Sequence, residues 1–311
     1  MAETDNPLIN VLRGGIAILL VAILAYWIYF RWWQERTIVV DTETGALEIE
    51  LEAELSGKAF RDAWYCQRGP DPDSDVVPPS AAGCPSRTHH WVDPKPLATP
   101  VLPAGTHLRI TSWSDALRID VVSLPGRYDG TDVADLAGGA ILLHGPEALG
   151  AVGTLPLSGK VQIGALFSET DRISVVSGIY QLRGYTPWGR IFSDMRELRG
   201  GRLLAGARVR FVESDGATAT GHVAVMTPDP QTTLMRVTAI SEHALSNLAI
   251  SYYFTDEVVI RPSFLEALIL DPLFQILIMI FGAIAGYGWL RRLQLGTRVR
   301  TRSHSKPEDD G

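Results

Sequence analysis

Two long apolar stretches bracket this chain, and they limit its folds more than any motif does. The first runs from about Gly14 to Phe30 and the second from Pro272 to Leu290; neither contains a charged residue. A hydrocarbon core of about 30 Å takes about 20 apolar residues at a helical rise of 1.5 Å, so both read as transmembrane helices. Aromatic residues sit at their ends, where amphipathic rings favour a membrane interface. Tyr26, Trp27, Tyr29, Phe30, Trp32 and Trp33 crowd the exit of the first, and Tyr287 and Trp289 close the second. Bulky rings stand where a signal peptidase needs small residues, so the first stretch reads as an uncleaved signal anchor.

Flanking charge sets the expected orientation. Arg291, Arg292, Arg298, Arg300, Arg302 and Lys306 follow the second stretch, while Arg261 alone precedes it closely. This places both termini in the cytoplasm and the centre outside. Arg31 and Arg36 against Arg13 argue the other way around the first helix, and six cations outweigh them. The expected organisation is a cytoplasmic tail (1–13), a first span (14–33), an exoplasmic domain (37–262), an interfacial helix (263–271), a second span (272–290) and a basic, disordered cytoplasmic tail (291–311). The interfacial helix rests on Ser263 and Glu266 as a capping box, and on Asp271-Pro272 as the start of the next helix. One kinked helix over 264–290 is the competing reading.

Between Thr37 and Pro262 the pattern is β. Leu47 to Glu54 alternates strictly, with Glu48, Glu50, Glu52 and Glu54 on one face. Further strands are expected at 107–111, 117–122, 140–144, 160–164, 172–177, 207–212, 222–226, 233–240 and 249–254, with helical patches near 57–64 and 242–247. Short strands between Gly, Pro and Asp turns indicate a sandwich or barrel. The expected class is therefore a membrane-anchored, mainly-β protein, with two transmembrane helices flanking a β-sandwich- or barrel-like exoplasmic domain. A split into two β subdomains would fall at 130–139. The proline-rich stretch 67–103 reads as a long loop.

The chain has two cysteines, Cys66 and Cys84. An even pair in an oxidising compartment reads as a disulfide, here closing a loop of 17 intervening residues.

Charge is uneven within a net of −7. Arg196, Arg199, Arg202, Arg208 and Arg210 concentrate positive charge late in the domain, and the Glu48–Glu54 stripe concentrates negative charge early. Each is a solvated strand face or a contact surface; the arginines could pair with the glutamates, or bind lipid headgroups or glycans. Compartment and overall acidity argue against nucleic acid. Asp71, Asp73 and Asp75 carry calcium-loop spacing, but Val76 and Ala82 stand where the loop needs Gly and Glu. His89, His90 and Asp93 make an incomplete ligand set, so neither a metal nor a cofactor is expected. No Gly-x-Ser-x-Gly, His-Glu-x-x-His or P-loop occurs. Gly282 and Gly286 in the second span form a small-residue helix-packing pair.

The expected role is non-catalytic: a two-pass protein of a bacterial-type inner membrane, serving as accessory or scaffold subunit of a cell-envelope assembly. Its partners would be membrane lipids, other envelope or membrane proteins, or further copies of itself as a homo-oligomer. Two readings compete: an exoplasmic receptor relaying to a separate cytoplasmic partner, and an envelope hydrolase with a non-contiguous active site. A strong bias of 24 arginines to 4 lysines suggests a GC-rich source.

Overall fold

The computed structural model describes residues 7–32, 35–56, 63–69, 83–84, 87–92, 101–113, 116–126, 131–144, 148–149, 153–164, 175–185, 195–228, 233–252, 255–261 and 264–302. They divide into two compact units. One comprises Met1–Trp33, Tyr185–Met195 and Ser263–Gly311; the other comprises Gln34–Gly184 and Arg196–Pro262.

The second unit is mainly β and forms one large antiparallel sheet consistent with a β-sandwich domain. Its strands are β1 (Arg36–Thr44), β2 (Ala46–Leu51), β3 (Trp64–Arg68), β4 (His89–Val92), β5 (His107–Trp113), β6 (Ala116–Ser123), β7 (Ala140–His144), β8 (Thr154–Ile163), β9 (Val175–Tyr185), β10 (Met195–Leu203), β11 (Arg208–Val212), β12 (Thr220–Met226), β13 (Met235–Ser241), β14 (Asn247–Ser251) and β15 (Val258–Ile260). The spatial order is β10-β9-β1-β13-β12-β8-β2-β5-β6-β7-β3-β4. A branch from β8 carries β11, then β14, then β15. A short helix, α2 (Thr131–Ala134), precedes β7, and α1 lies in the other unit at Pro7–Trp32.

Period-2 burial builds one core. Leu155, Leu157, Val161 and Ile163 of β8 are buried between exposed or half-buried neighbours, and Met235, Val237 and Ala239 of β13 repeat the pattern. These side chains join Ile38, Val40, Leu47, Ile49, Leu108, Ile110, Leu182 and Phe211 in a single cluster. In β7 both faces are buried. Ile141 and Leu143 enter the main core, while Ala140 and Leu142 join a smaller cluster with Cys66, Trp91 and Ala116. This accounts for an apolar run without alternation.

Strand β8 is the junction. It pairs with β12 over 154–160, with β2 over 159–163, and with β11 at 162–163. Gly159 faces Gly221 across β8 and β12. A Cβ on Gly159 would collide with the Glu50 carbonyl oxygen; one on Gly221 would lie 2.7 Å from the Phe211 ring. Both positions need glycine because a neighbouring strand or ring occupies the volume of a side chain.

The smaller cluster carries the disulfide. Cys66 of β3 is bonded to Cys84, with Cα atoms 5.8 Å apart. Arg118 Nη1 also donates to the Gly83 carbonyl at 3.1 Å. The expected loop 67–103 is thus partly sheet, since β4 lies inside it and pairs Trp91 with Cys66. Across 130–139, β6 and β7 pair directly.

Other expectations change as well. Residues 242–245 form bends and a turn and Asn247 opens β14, where a helix was expected, because backbone bonds go outward: Glu242 N–H to Thr220 O at 3.2 Å, and Ala244 O from Arg36 N–H at 2.9 Å. The patch at 57–64 falls mostly outside the described residues, and its last residue, Trp64, begins β3.

In the helical unit, α1 begins with Pro7, whose missing N–H costs nothing in a first turn. The described half-buried positions on α1 are 15, 19, 22, 23 and 26, one helical stripe. Gly15 sits against Phe281, to whose ring a Cβ would come within 3.1 Å. Helix α3 (Phe264–Leu270) ends at Asp271, and α4 runs from Pro272 to Arg302. Asp271 Oδ1 accepts from Leu273 N–H at 2.8 Å and Phe274 N–H at 3.4 Å, so a side-chain cap separates two helices where one kinked helix was the alternative. Helix α4 continues past 290, where a disordered tail was expected; Arg291, Arg292, Leu293 and Gln294 are good helix formers. Among the described residues no helix is long and apolar enough to cross a membrane; the side chains described in α1 and α4 cover 15–28 and 272–288.

Gly159→Ala should lower unfolding stability by about 3 kcal/mol, as overpacking against backbone does. Gly69→Ala, where a Cβ would meet nothing within 4 Å, should be neutral. The check is the urea midpoint at unchanged slope. Replacing Cys66 and Cys84 together by serine should cost about 3 kcal/mol on the chain-entropy account, and peptide mapping of the unreduced protein should recover the Cys66–Cys84 pair.

Candidate functional site

An open groove of about 390 Å³ lies on the outer face of β8, β12 and β13. Strand register assembles it. Val39, Ile240, His222 and Ser158 stand in one cross-strand row, and Asp41, Thr238, Ala224 and Pro156 stand in the next. Beyond the end of β2, Ala53, Glu54 and Leu55 form the rim. The segment is held there by Glu52 N–H to Ser158 O at 2.9 Å and by paired Leu55–Leu102 backbone bonds of 2.8 and 3.0 Å. Ile240 and Met226 remain exposed on this face. The groove therefore offers an apolar floor with a hydroxyl, an imidazole and a carboxylate at its margin.

His222 and Ser158 are directly opposed across two strands, the closest approach of a histidine to a serine in the groove. A nucleophilic serine requires a hydrogen bond to its base. Among the described residues none joins Ser158 Oγ to His222, or His222 to Glu54. The groove presents apolar surface with polar groups at its margin.

The first two glutamates of the stripe are paired within the sheet. Glu48 lies opposite Arg109, with Oε1 2.7 Å from Nη2, and Glu50 lies opposite Lys160 at 3.3 Å. These are half-exposed cross-strand pairs, each contributing about 0.2–1 kcal/mol. Glu52 and Glu54 lie past the end of β2 and are exposed; of the four, Glu54 reaches the groove.

The arginines separate into two groups. Arg208 and Arg210 share a face of β11. Arg208 Nε donates to Ser251 Oγ at 3.2 Å, and Arg210 grips Glu257 with two bonds of 2.8 and 2.7 Å. Those bonds hold the Glu257 carboxyl below its ordinary range and raise the Arg210 guanidinium. Arg196, Arg199 and Arg202 lie on β10, which ends the sheet; long cations there discourage edge-to-edge pairing. Within the chain, Glu48 and Glu50 thus pair with Arg109 and Lys160, and Arg210 with Glu257. A similar ion pair on the groove side, Arg236 with Asp41 at 2.6 Å, holds the Asp41 carboxyl low chiefly through that hydrogen bond.

Among the described residues no cluster of three or more His, Cys, Asp or Glu could hold a metal. Asp71, Asp73, Asp75 and Asp93 lie outside the described residues. His89 is buried, with Nδ1 3.1 Å from Thr88 Oγ1 and Nε2 3.1 Å from the Ala137 carbonyl, so both ring nitrogens are occupied within the fold. Gly282 and Gly286 are exposed, and a Cβ on either would meet nothing within 4 Å; the neighbouring Phe281 lies against Gly15 of α1.

Comparison with known proteins finds no matching family model, no matching curated protein and no matching solved structure.

The Arg210–Glu257 pair supplies a pH test. Because the folded carboxyl is depressed from 4.5, its contribution is complete above that value and is lost as pH falls through the folded value. Glu257→Gln should cost about 1 kcal/mol at pH 7, and the gap to wild type should be smaller at the lowest pH at which the protein stays folded, below 4.5. Urea unfolding at both pH values measures it; an equal gap at both would remove the ion pair as the cause.

Proposed function

We propose that this chain is a non-catalytic membrane protein that spans the bilayer twice, through α1 and α4. Its disulfide-bonded β unit is exoplasmic and serves as an accessory or scaffold subunit of a cell-envelope assembly. The observation that carries this reading is apolar exposure around both helices. In α1, Ile16, Ile18, Leu20, Val21, Leu24, Trp27 and Ile28 are exposed; in α4, Ile276, Ile278, Met279, Ile280 and Ile284 are exposed. Water would penalise such surfaces, whereas lipid chains would not. At 1.5 Å per residue, the 26 residues of α1 reach about 39 Å, against a hydrocarbon core of about 30 Å. Exposed Leu265 and Ile269 on the short helix α3 fit a segment lying in the interface.

A cystine belongs to an oxidising compartment, which supports placing the β unit outside the cytoplasm. The groove beside His222 is the docking surface in this reading. Its flat, apolar-floored shape suits an extended segment of a partner envelope protein.

The test is topological. The chain should stay in the membrane pellet after alkaline extraction. In intact spheroplasts, a membrane-impermeant maleimide should label Ser214→Cys, in an exposed turn, and should reach Ser305→Cys only after lysis. Labelling in the reverse order would overturn the orientation, and extraction into the supernatant would overturn the membrane reading itself. A photo-crosslinking residue at position 222 should then capture a discrete envelope partner, and a crosslink-free result there would remove the groove as its dock.

A further inference from the structure

Charges in the β unit mostly sit beside opposite charges, as Glu48 does with Arg109, Arg118 with Asp120, and Arg210 with Glu257. One corner departs from this. Arg36 opens β1 with the same parity as the buried Ile38 and Val40, so it belongs to the core side of the strand. Its N–H donates to Ala244 O at 2.9 Å and its Nη2 to Leu245 O at 3.2 Å, while Nε is buried with no hydrogen-bond partner. No carboxylate among the described residues pairs with it.

The surroundings add cations. The Arg261 charge acts on Arg36, and Arg199 Nη1 donates to the Arg261 carbonyl at 3.2 Å. Burial first, and Arg261 second, hold the Arg36 guanidinium below its ordinary range. The other buried side-chain atoms without a partner among the described residues are Ser246 Oγ and Asn247 Oδ1. They directly follow Ala244 and Leu245, the two residues that bind Arg36. They continue the segment whose carbonyls hold Arg36.

An uncompensated buried guanidinium costs free energy, and a cationic neighbour raises the cost. An anion with several acceptor oxygens reverses both effects, and the planar donor fork of arginine fits phosphate. We propose that Arg36, Arg199 and Arg261 bind a phosphate group, carried by an anionic lipid headgroup or free in solution. The lipid source rests on the membrane reading above. Arg36 comes four residues after α1 ends, and Arg261 three before α3 begins, so both belong to segments entering the interface in that reading. Arg36 is then a ligand group rather than a flanking charge that orients α1, which removes its conflict with the basic C-terminal tail.

The experiment uses the full chain in a neutral detergent, with thermal unfolding followed by tryptophan fluorescence. Short-chain phosphatidylglycerol, short-chain phosphatidylcholine, inorganic phosphate and sodium chloride are titrated at matched ionic strength. Wild type should be stabilised by a phosphate-bearing anion beyond the effect of chloride. Arg199→Gln and Arg261→Gln, both at exposed positions, should each weaken that response about tenfold, equivalent to one charge-assisted contact of about 1.4 kcal/mol. Stabilisation by phosphatidylglycerol at lower concentration than by inorganic phosphate assigns a lipid, and the reverse order assigns the free anion. Arg36→Gln should abolish the response while melting, without anion, no lower than wild type, because it removes a half-buried charge that no carboxylate among the described residues pairs with. A wild-type response equal to that of chloride, or responses unchanged in Arg199→Gln and Arg261→Gln, would overturn the proposal, as would an Arg36→Gln protein that melts lower yet still responds. The readout in detergent is independent of sidedness, so it fails or succeeds separately from the labelling experiment.

Discussion

The architecture of the β unit depends on how closely strands can approach β8. A strand normally has two neighbours, and β8 serves three by giving one edge to β12 and then β11 while β2 takes the other. At the crossover, Gly159 and Gly221 face each other, and the Glu50 carbonyl and the Phe211 ring fill the volume that side chains would claim. With β8 so shared, the inward residues of strands on both arms meet in a single core. The groove depends on the same junction, since its floor is the outer face of β8 and β12 and its rim is the continuation of β2.

Neutralisation of charge follows from register in the same way. Glu48 and Arg109 are 61 positions apart, and Arg210 and Glu257 are 47 apart, yet each pair meets because strands bring them side by side. Glu48 and Glu50 of the stripe find their partners in the adjacent strands. The arginines of β10 have a different task at the end of the sheet, where exposed backbone would otherwise recruit another strand.

Much of the fold could be read from local pattern. Strand β7 spans the apolar run expected at 140–144, and β5, β6 and β12 contain their expected segments, because alternation or β-branched content marks them directly. Strand β10 escaped notice: Met195-Arg196-Glu197-Leu198-Arg199-Gly200-Gly201-Arg202-Leu203 has neither alternation nor β-rich composition, and its pairing with β9 supplies the structure. Residues 242–247 look helical in isolation but give their backbone bonds to Arg36 and Thr220, so tertiary partners override local preference. The groove was hidden for a related reason. Positions 39, 240, 222 and 158 have no relation in sequence, and the row they form is a property of register alone. The corner at Arg36 likewise combines a strand start, a turn 208 residues later and a carbonyl from the end of the sheet branch.

The pairing of β1 constrains how the molecule can come into being. This first strand lies between β9 and β13, both of which occur in the second half of the sequence. A chain made N-terminus first must therefore keep Ile38 and Val40 from finding wrong neighbours until residue 241 has emerged. Such long-range closure makes for slow folding and prolonged exposure of a β-prone edge. A fragment ending before β13 would leave that edge of β1 without the strand that covers it.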